Sequence, residues 1–198
     1  MPEFQPETVA RRSLLRKAAG VGAGVVLGGL AGAMVAAPPA RAAGMQAGWR
    51  YCVRCAGLFW PLGNKGCPAG GPHAAAGWTF QLPIDGYRLP NQPEWRCCMN
   101  CNALHYDGYP DPDGRCSTGI EHKRTGVDSN FALPANVGEP AGHQANWRFC
   151  LRSGAPDPGC FMLFFDGYPN FKGICPAGPG GHLAVGWNFA IPVYSYAT

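Results

Sequence analysis

Cysteine and histidine recur in one order three times along the chain: Cys52, Cys55, Cys67 and His73; Cys98, Cys101, Cys116 and His122; Cys150, Cys160, Cys175 and His182. Three thiolates and one imidazole suit a soft divalent ion such as zinc in a tetrahedral site, and a Cys-x-x-Cys turn sets two sulfurs on one ion without strain. The same residues also suit disulfides. Ten cysteines make an even total, Cys97 has no counterpart in the other sets, and Ser153 to Gly159 separates the first two cysteines of the third set. Five cross-links, with the histidines bonded to buried backbone groups, are therefore the competing reading, and buried free thiols are a third. A thiolate beside an imidazole can also attack a substrate. Catalysis, however, needs one asymmetric constellation with an orienting third group, whereas a pair repeated three times reads as architecture. The chain has no glycine-rich phosphate loop, no Gly-x-Ser-x-Gly elbow and no His-Glu-x-x-His motif. A non-enzymatic protein is expected, with an extracellular hydrolase as the distant alternative.

A second candidate constellation pairs a carboxylate with an aromatic ring. Asp107-Gly108-Tyr109-Pro110-Asp111 and Asp166-Gly167-Tyr168-Pro169-Asn170 recur, and Asp85-Gly86-Tyr87 repeats the tripeptide. A carboxylate that accepts from sugar hydroxyls, beside a ring that packs on the apolar sugar face, makes a carbohydrate subsite from Asp107, Tyr109, Asp166 and Tyr168. The same residues serve ordinary turns, with Asp opening the turn and Gly supplying positive φ. Calcium at Asp107, Asp111 and Asp113 is disfavoured, because one short loop offers too few oxygens.

These residues sit in a repeat. Each copy reads Gln-x-x-Trp-Arg, two cysteines, Leu with aromatics, Gly shortly before a third Cys, His, then Phe-x-Leu/Ile-Pro. The copies span about residues 46–83, 92–134 and 144–192, too short for three independent cores, so they are expected to share one. Short aromatic and β-branched runs alternate with Gly, Pro, Asn and Asp, and no helical period follows the N-terminal segment. Three all-β copies of this length resemble the β-trefoil, which implies a closed barrel with four strands per copy. Pro192 to Tyr196 would then pair beside the first strand. Three tandem cross-linked β modules are the alternative. The recurring Trp-x-x-Cys-x-x-Cys and Cys-Pro-Ala-Gly-Gly-x-His are similar to Cys-rich repeats of secreted bacterial and fungal proteins. Gln-x-x-Trp is also similar to the Gln-x-Trp of ricin-like sugar-binding trefoils, with one residue more and placed at the start of each copy. The recurring Trp49, Trp95, Trp147, Phe80, Phe131 and Phe189 read as core.

The N-terminal segment supplies an address. Arg11-Arg12-Ser13-Leu14-Leu15-Arg16-Lys17, an uncharged stretch from Ala18 to Ala37, and Ala40-Arg41-Ala42 follow the order of a signal peptide. Its paired arginines and Ala/Gly-rich core resemble the twin-arginine class. That resemblance implies a bacterial protein exported through the twin-arginine translocase to the periplasm or beyond, with residues 1–42 removed and 43–198 as the mature domain. An uncleaved membrane anchor is the alternative. The net charge of +4 falls largely on this segment. The mature part is nearly neutral, which argues against nucleic acid as a partner. The expected function is an exported binding module, lectin-like or otherwise directed at a surface ligand. A structural or interaction protein with a protein partner, such as a toxin component or inhibitor, is the alternative.

Overall fold

The computed structural model describes residues 44–63, 65–110, 113–125, 130–152 and 159–195. The segment 1–42 expected to be an export signal, Asp111 and Ser153 to Pro158 lie outside the described residues. All described residues belong to one unit, Arg41–Thr198, and they form strands and turns without a helix. Among them, no helix is long and apolar enough to cross a membrane.

Each copy contributes a long opening strand, a short strand and a closing strand. The first has β1 (Met45–Cys52), β2 (Leu58–Phe59) and β3 (Ala75–Pro83); the second has β4 (Asn91–Cys97), β5 (Leu104–Tyr106) and β6 (Phe131–Pro134); the third has β7 (His143–Cys150), β8 (Leu163–Phe165) and β9 (Ala184–Ser195). One sheet runs β2-β1-β3-β9-β7-β8, and a smaller one runs β5-β4-β6. Single bridges join the smaller sheet at both sides: Ile84 to Phe131 and Ala135 to Phe189 along the closing strands, Phe59 to Ala103 and His105 to Met162 along the short ones. The result is an all-β, nearly closed barrel.

Two details depart from the expected strand plan. Where a fourth strand was expected, each copy has a turn held by one bridge, Gly66 to Pro72, Arg115 to Glu121 or Cys175 to Gly178. Loops rich in Gly and Pro cannot sustain a ladder there. The C-terminal strand β9 pairs with β7 and, through Thr79 to Ser195 and Phe80 to Val193, with β3 rather than with β1. Strand β1 already has β2 and β3 as neighbours, so no free edge remains for it.

The spacing Gln-x-x-Trp has a backbone cause. Register shifts fall between Ala47 and Trp49, Gln92 and Trp95, and Gln144 and Trp147. The residue just before each Trp has positive φ: Gly48 at 105°, Glu94 at 69° and Asn146 at 65°. Each opening strand thus carries a bulge that turns its Trp inward. Asn130 and Asn188 accept the bulged amides of Glu94 and Asn146 at 2.7 and 2.8 Å.

The inward Trp rings assemble the shared core. Trp49 meets Phe131 of the second copy edge-on at 5.3 Å, Trp95 meets Phe189 of the third at 5.1 Å, and Trp147 meets Phe80 of the first at 5.3 Å. All six rings are buried, with Leu58, Leu104, Leu163, Leu82, Leu133 and Ile191 between them. Every copy buries its Trp against the next, so no copy completes this layer alone.

Candidate metal centres

Beside the aromatic layer lies a second buried cluster that holds nine of the cysteines. Its local frame is a tight knuckle at the end of each opening strand. The amides of Ala56, Asn102 and Phe161 donate to the carbonyls of Cys52, Cys98 and Cys150 at 2.8 to 2.9 Å. The same three residues take φ of 58° to 60°, which reverses the chain into the short strand. The third knuckle keeps these bonds although its cysteines are farther apart in sequence. The turn after each third cysteine then brings the fourth donor, a histidine, back over the knuckle.

The twelve Cys and His residues singled out in the sequence converge into three sets: Cys52, Cys55, Cys67 and His73; Cys98, Cys101, Cys116 and His122; Cys150, Cys160, Cys175 and His182. Within each set the donor atoms lie within 4.8 Å of one another. Cys52 to Cys67 and Cys98 to Cys116 are 3.9 Å between sulfurs, and Cys150 to Cys175 is 3.8 Å. A disulfide needs about 2.05 Å, and all ten cysteines are free. None of the expected cross-links is present: the sulfurs of each set face one another unbonded. Four donors at about 2.3 Å from a central ion stand about 3.8 Å from each other when both are sulfur, and about 3.6 Å when one is an imidazole nitrogen. Nδ1 lies 3.5 Å from Cys55 in the first set, 3.7 Å from Cys101 in the second and 3.5 Å from Cys160 in the third. Three buried Cys3His clusters can hold metal ions.

The surroundings favour anionic sulfur. Backbone amides of Ala74, Asn100 and Arg152 donate to Cys52, Cys98 and Cys150 at 3.4 to 3.5 Å. Within the first set, hydrogen bonds from Cys55 and Cys67 pull the Cys52 thiol far below its ordinary range, while Cys55, hydrogen-bonded to Cys52, is pushed well up. Burial opposes a charge on His122, but hydrogen bonds with Cys116 and Cys98 and their negative charge outweigh it and push the imidazole up to about 9. The same balance takes His73 to about 9. A divalent cation supplies the positive charge that these shared protons otherwise provide.

The outer face of each histidine closes a ring. His73 Nε2 donates to the carbonyl of Cys101, His122 Nε2 to that of Cys160, and His182 Nε2 to that of Cys55, each at 3.0 Å. A carbonyl only accepts, so Nε2 carries a hydrogen and Nδ1 faces the sulfurs, where its lone pair would be free for an ion once the shared proton leaves, the arrangement of an oriented metal ligand. Each imidazole also stacks on a short-strand ring: Phe59 on His73, His105 on His122 and Phe164 on His182, at 4.5 to 4.7 Å. Burial holds His105 neutral, well below the usual histidine range. Gly173 makes one link possible: at φ +64° its Cα packs on the Cys55 carbonyl, and a Cβ would fall 2.1 Å from that oxygen. The ring could not be read from spacing, since each of its links joins different copies, whereas each stacking pair lies within one copy.

Asp107 and Asp166 are engaged in ion pairs. Asp107, only 3% exposed, faces Arg96 at 3.4 Å and Arg124 at 3.5 Å, and Asp166 pairs with Lys172. Tyr109 and Tyr168 are half-exposed and stand apart from the metal centres. Cys97 belongs to none of the three sets. No protein-family model, curated protein or solved structure matches the chain.

Proposed function

We propose that this protein is an exported, non-enzymatic binding module, lectin-like in its recognition of an extracellular or cell-surface ligand, with a trefoil-like barrel stapled by three structural zinc ions. The closed donor sets carry this reading: each offers three sulfurs and one nitrogen from the protein, buried and oriented. A catalytic zinc keeps one position open for water or substrate, whereas a structural site is completed by four protein ligands. Sulfur-rich donors select zinc over calcium, magnesium or manganese. Recognition then falls to the surface, where the half-exposed Tyr109 and Tyr168 support ligand contact. Export rests on the arginine pair Arg11-Arg12 and the stretch that follows it. Loading in the cytoplasm before folded export reconciles thiolate ligands with an oxidising destination.

Intact mass and metal analysis of the mature exported protein test the assignment. Three zinc ions per chain and no mass lost to disulfides are expected. A metal-free protein with oxidised cysteines overturns it. For export, Arg11→Lys with Arg12→Lys should retain the precursor in the cytoplasm, and undiminished export of that double variant refutes the twin-arginine route.

A further inference from the structure

Two clefts on the barrel surface are built to one plan. The first, about 200 Å³, lies between the second and third copies and is lined by Gln92, Tyr106, Tyr109, Phe149, Trp187 and Phe189. The second, about 210 Å³, lies between the third and first copies and is lined by Gln144, Phe165, Tyr168, Tyr51, Trp78 and Phe80. The repeat matches them pairwise: Gln92 with Gln144, Tyr106 with Phe165, Tyr109 with Tyr168, Phe149 with Tyr51, Trp187 with Trp78, and Phe189 with Phe80. We propose that these clefts are two equivalent binding sites for neutral saccharide rings.

The chemistry of the lining selects the ligand class. Among the described residues no charged side chain lines either cleft, and the nearby Arg148 and Arg50 already donate to the lining carbonyls of Gly186 and Gly77, so an anionic or cationic ligand would lose its water with little counter-charge to gain. Trp187 and Tyr109 are 46% and 48% exposed in the first cleft, and Tyr168 is 51% exposed in the second. Flat rings left half in water gain most from a ligand with an apolar face, and phenol and amide groups beside them can bond hydroxyls at its rim. A pyranose has both features.

The walls are held in place before any ligand arrives. Tyr109 is braced edge-on by Tyr106 at 5.2 Å and by the tilted ring of Phe161 at 5.3 Å. Tyr168 is braced by Phe165 at 5.2 Å and lies 6.4 Å from Tyr51. Gln144 accepts from the Trp147 indole at 3.2 Å, which leaves its amide N–H groups to donate. Little ordering entropy is left to lose on binding. Each cleft is a separate bowl at its own copy boundary, which suits single sugar rings better than the continuous ridged groove that extended proline-rich peptides occupy.

The remaining boundary lacks the parts. Gly63 stands where the clefts have Tyr109 and Tyr168, and Cys97 stands where they have Phe149 and Tyr51. Two sites per chain, not three, are therefore expected.

This inference rests on the binding-module reading, and the test separates the two. The zinc-loaded mature domain is applied to arrays of neutral and acidic saccharides and to a panel of proline-rich peptides. Hits are then titrated by calorimetry against the wild type, Tyr109→Ala, Tyr168→Ala and the double variant, each first checked for three bound ions and unchanged circular dichroism. Neutral saccharides should bind with a stoichiometry of two, falling to one in each single variant, with at least a 100-fold loss of affinity in the double. Saccharide binding that survives in the double variant overturns the site assignment, and a preference for acidic sugars overturns the ligand class. Peptide binding abolished by the double variant overturns the saccharide proposal while leaving a binding module. Silence on both arrays overturns both.

Discussion

The aromatic layer and the cysteine layer are wound alike and held differently. In the first, each copy presses its Trp on the next copy's Phe; in the second, each copy's histidine donates to the next copy's knuckle carbonyl. The aromatic layer is built on the long strands, whose ladders are bulged before each Trp, and its contacts are non-directional and individually small. Edge-on ring pairs add about 0.5–1.5 kcal/mol each beyond burial. The cysteine layer is built on short strands and turns, where few ladder bonds exist, and its proposed cement is a directional four-donor site. A hydrophobic layer weakens by degrees as atoms are removed, whereas a metal layer keeps or loses whole sites.

The largest effect should come from taking the metal away. Strong chelation is expected to unfold the zinc-loaded domain under conditions where reductant alone leaves it folded, since metal-binding energy in such sites is folding energy, of the order of 10 kcal/mol. Tryptophan emission and circular dichroism, read beside released zinc, check it. If the barrel stays folded without metal, the aromatic layer suffices alone and the contrast between the layers fails.

The ring of His-to-carbonyl bonds sharpens the contrast. Because one site's oriented histidine fixes the next site's knuckle, the three sites should load together. Native mass spectrometry at one zinc equivalent is expected to show metal-free and three-ion protein in excess over one-ion and two-ion forms. Gly173→Ala, whose Cβ would strike the Cys55 carbonyl, should break one link and move the distribution towards independent loading.

Within the aromatic layer, Trp95→Ala should cost about 3–5 kcal/mol through the cavity it leaves, while all three ions remain bound. Denaturant unfolding with parallel metal analysis measures both quantities. The smallest effects belong to the carboxylates. Asp107→Asn leaves the Arg96 guanidinium, itself 13% exposed, with a weakened partner and should cost about 1–3 kcal/mol. Asp166→Asn, in a pair exposed at 22% and 36%, should cost under about 1 kcal/mol. Equal losses in the two variants would contradict the burial difference between them.

Different parts of this molecule were legible to different depths. The Cys3His order could be read because ligand type and knuckle spacing are local properties, though spacing alone left disulfides open until the sulfur separations were known. Tyr109 and Tyr168 stood out because their surroundings differ from those of the first copy. Their cleft partners Trp187 and Trp78 did not, since each arrives from another copy. The carboxylates beside the tyrosines in sequence turn instead to Arg96, Arg124 and Lys172, because a side chain's partner is set by what packs over it.

By itself the sequence determined the threefold repeat, the all-β character and the twelve metal-ligand candidates, since periodicity, turn residues and donor chemistry act over a few neighbouring residues. Only the tertiary structure decided that β9 closes against β3, that each histidine is oriented by the next copy's carbonyl, and that the boundaries of the third copy with the second and with the first open into aromatic clefts. Those outcomes depend on contacts such as His182 to Cys55, 127 residues apart in the chain, which form only when the copies are brought around a common core.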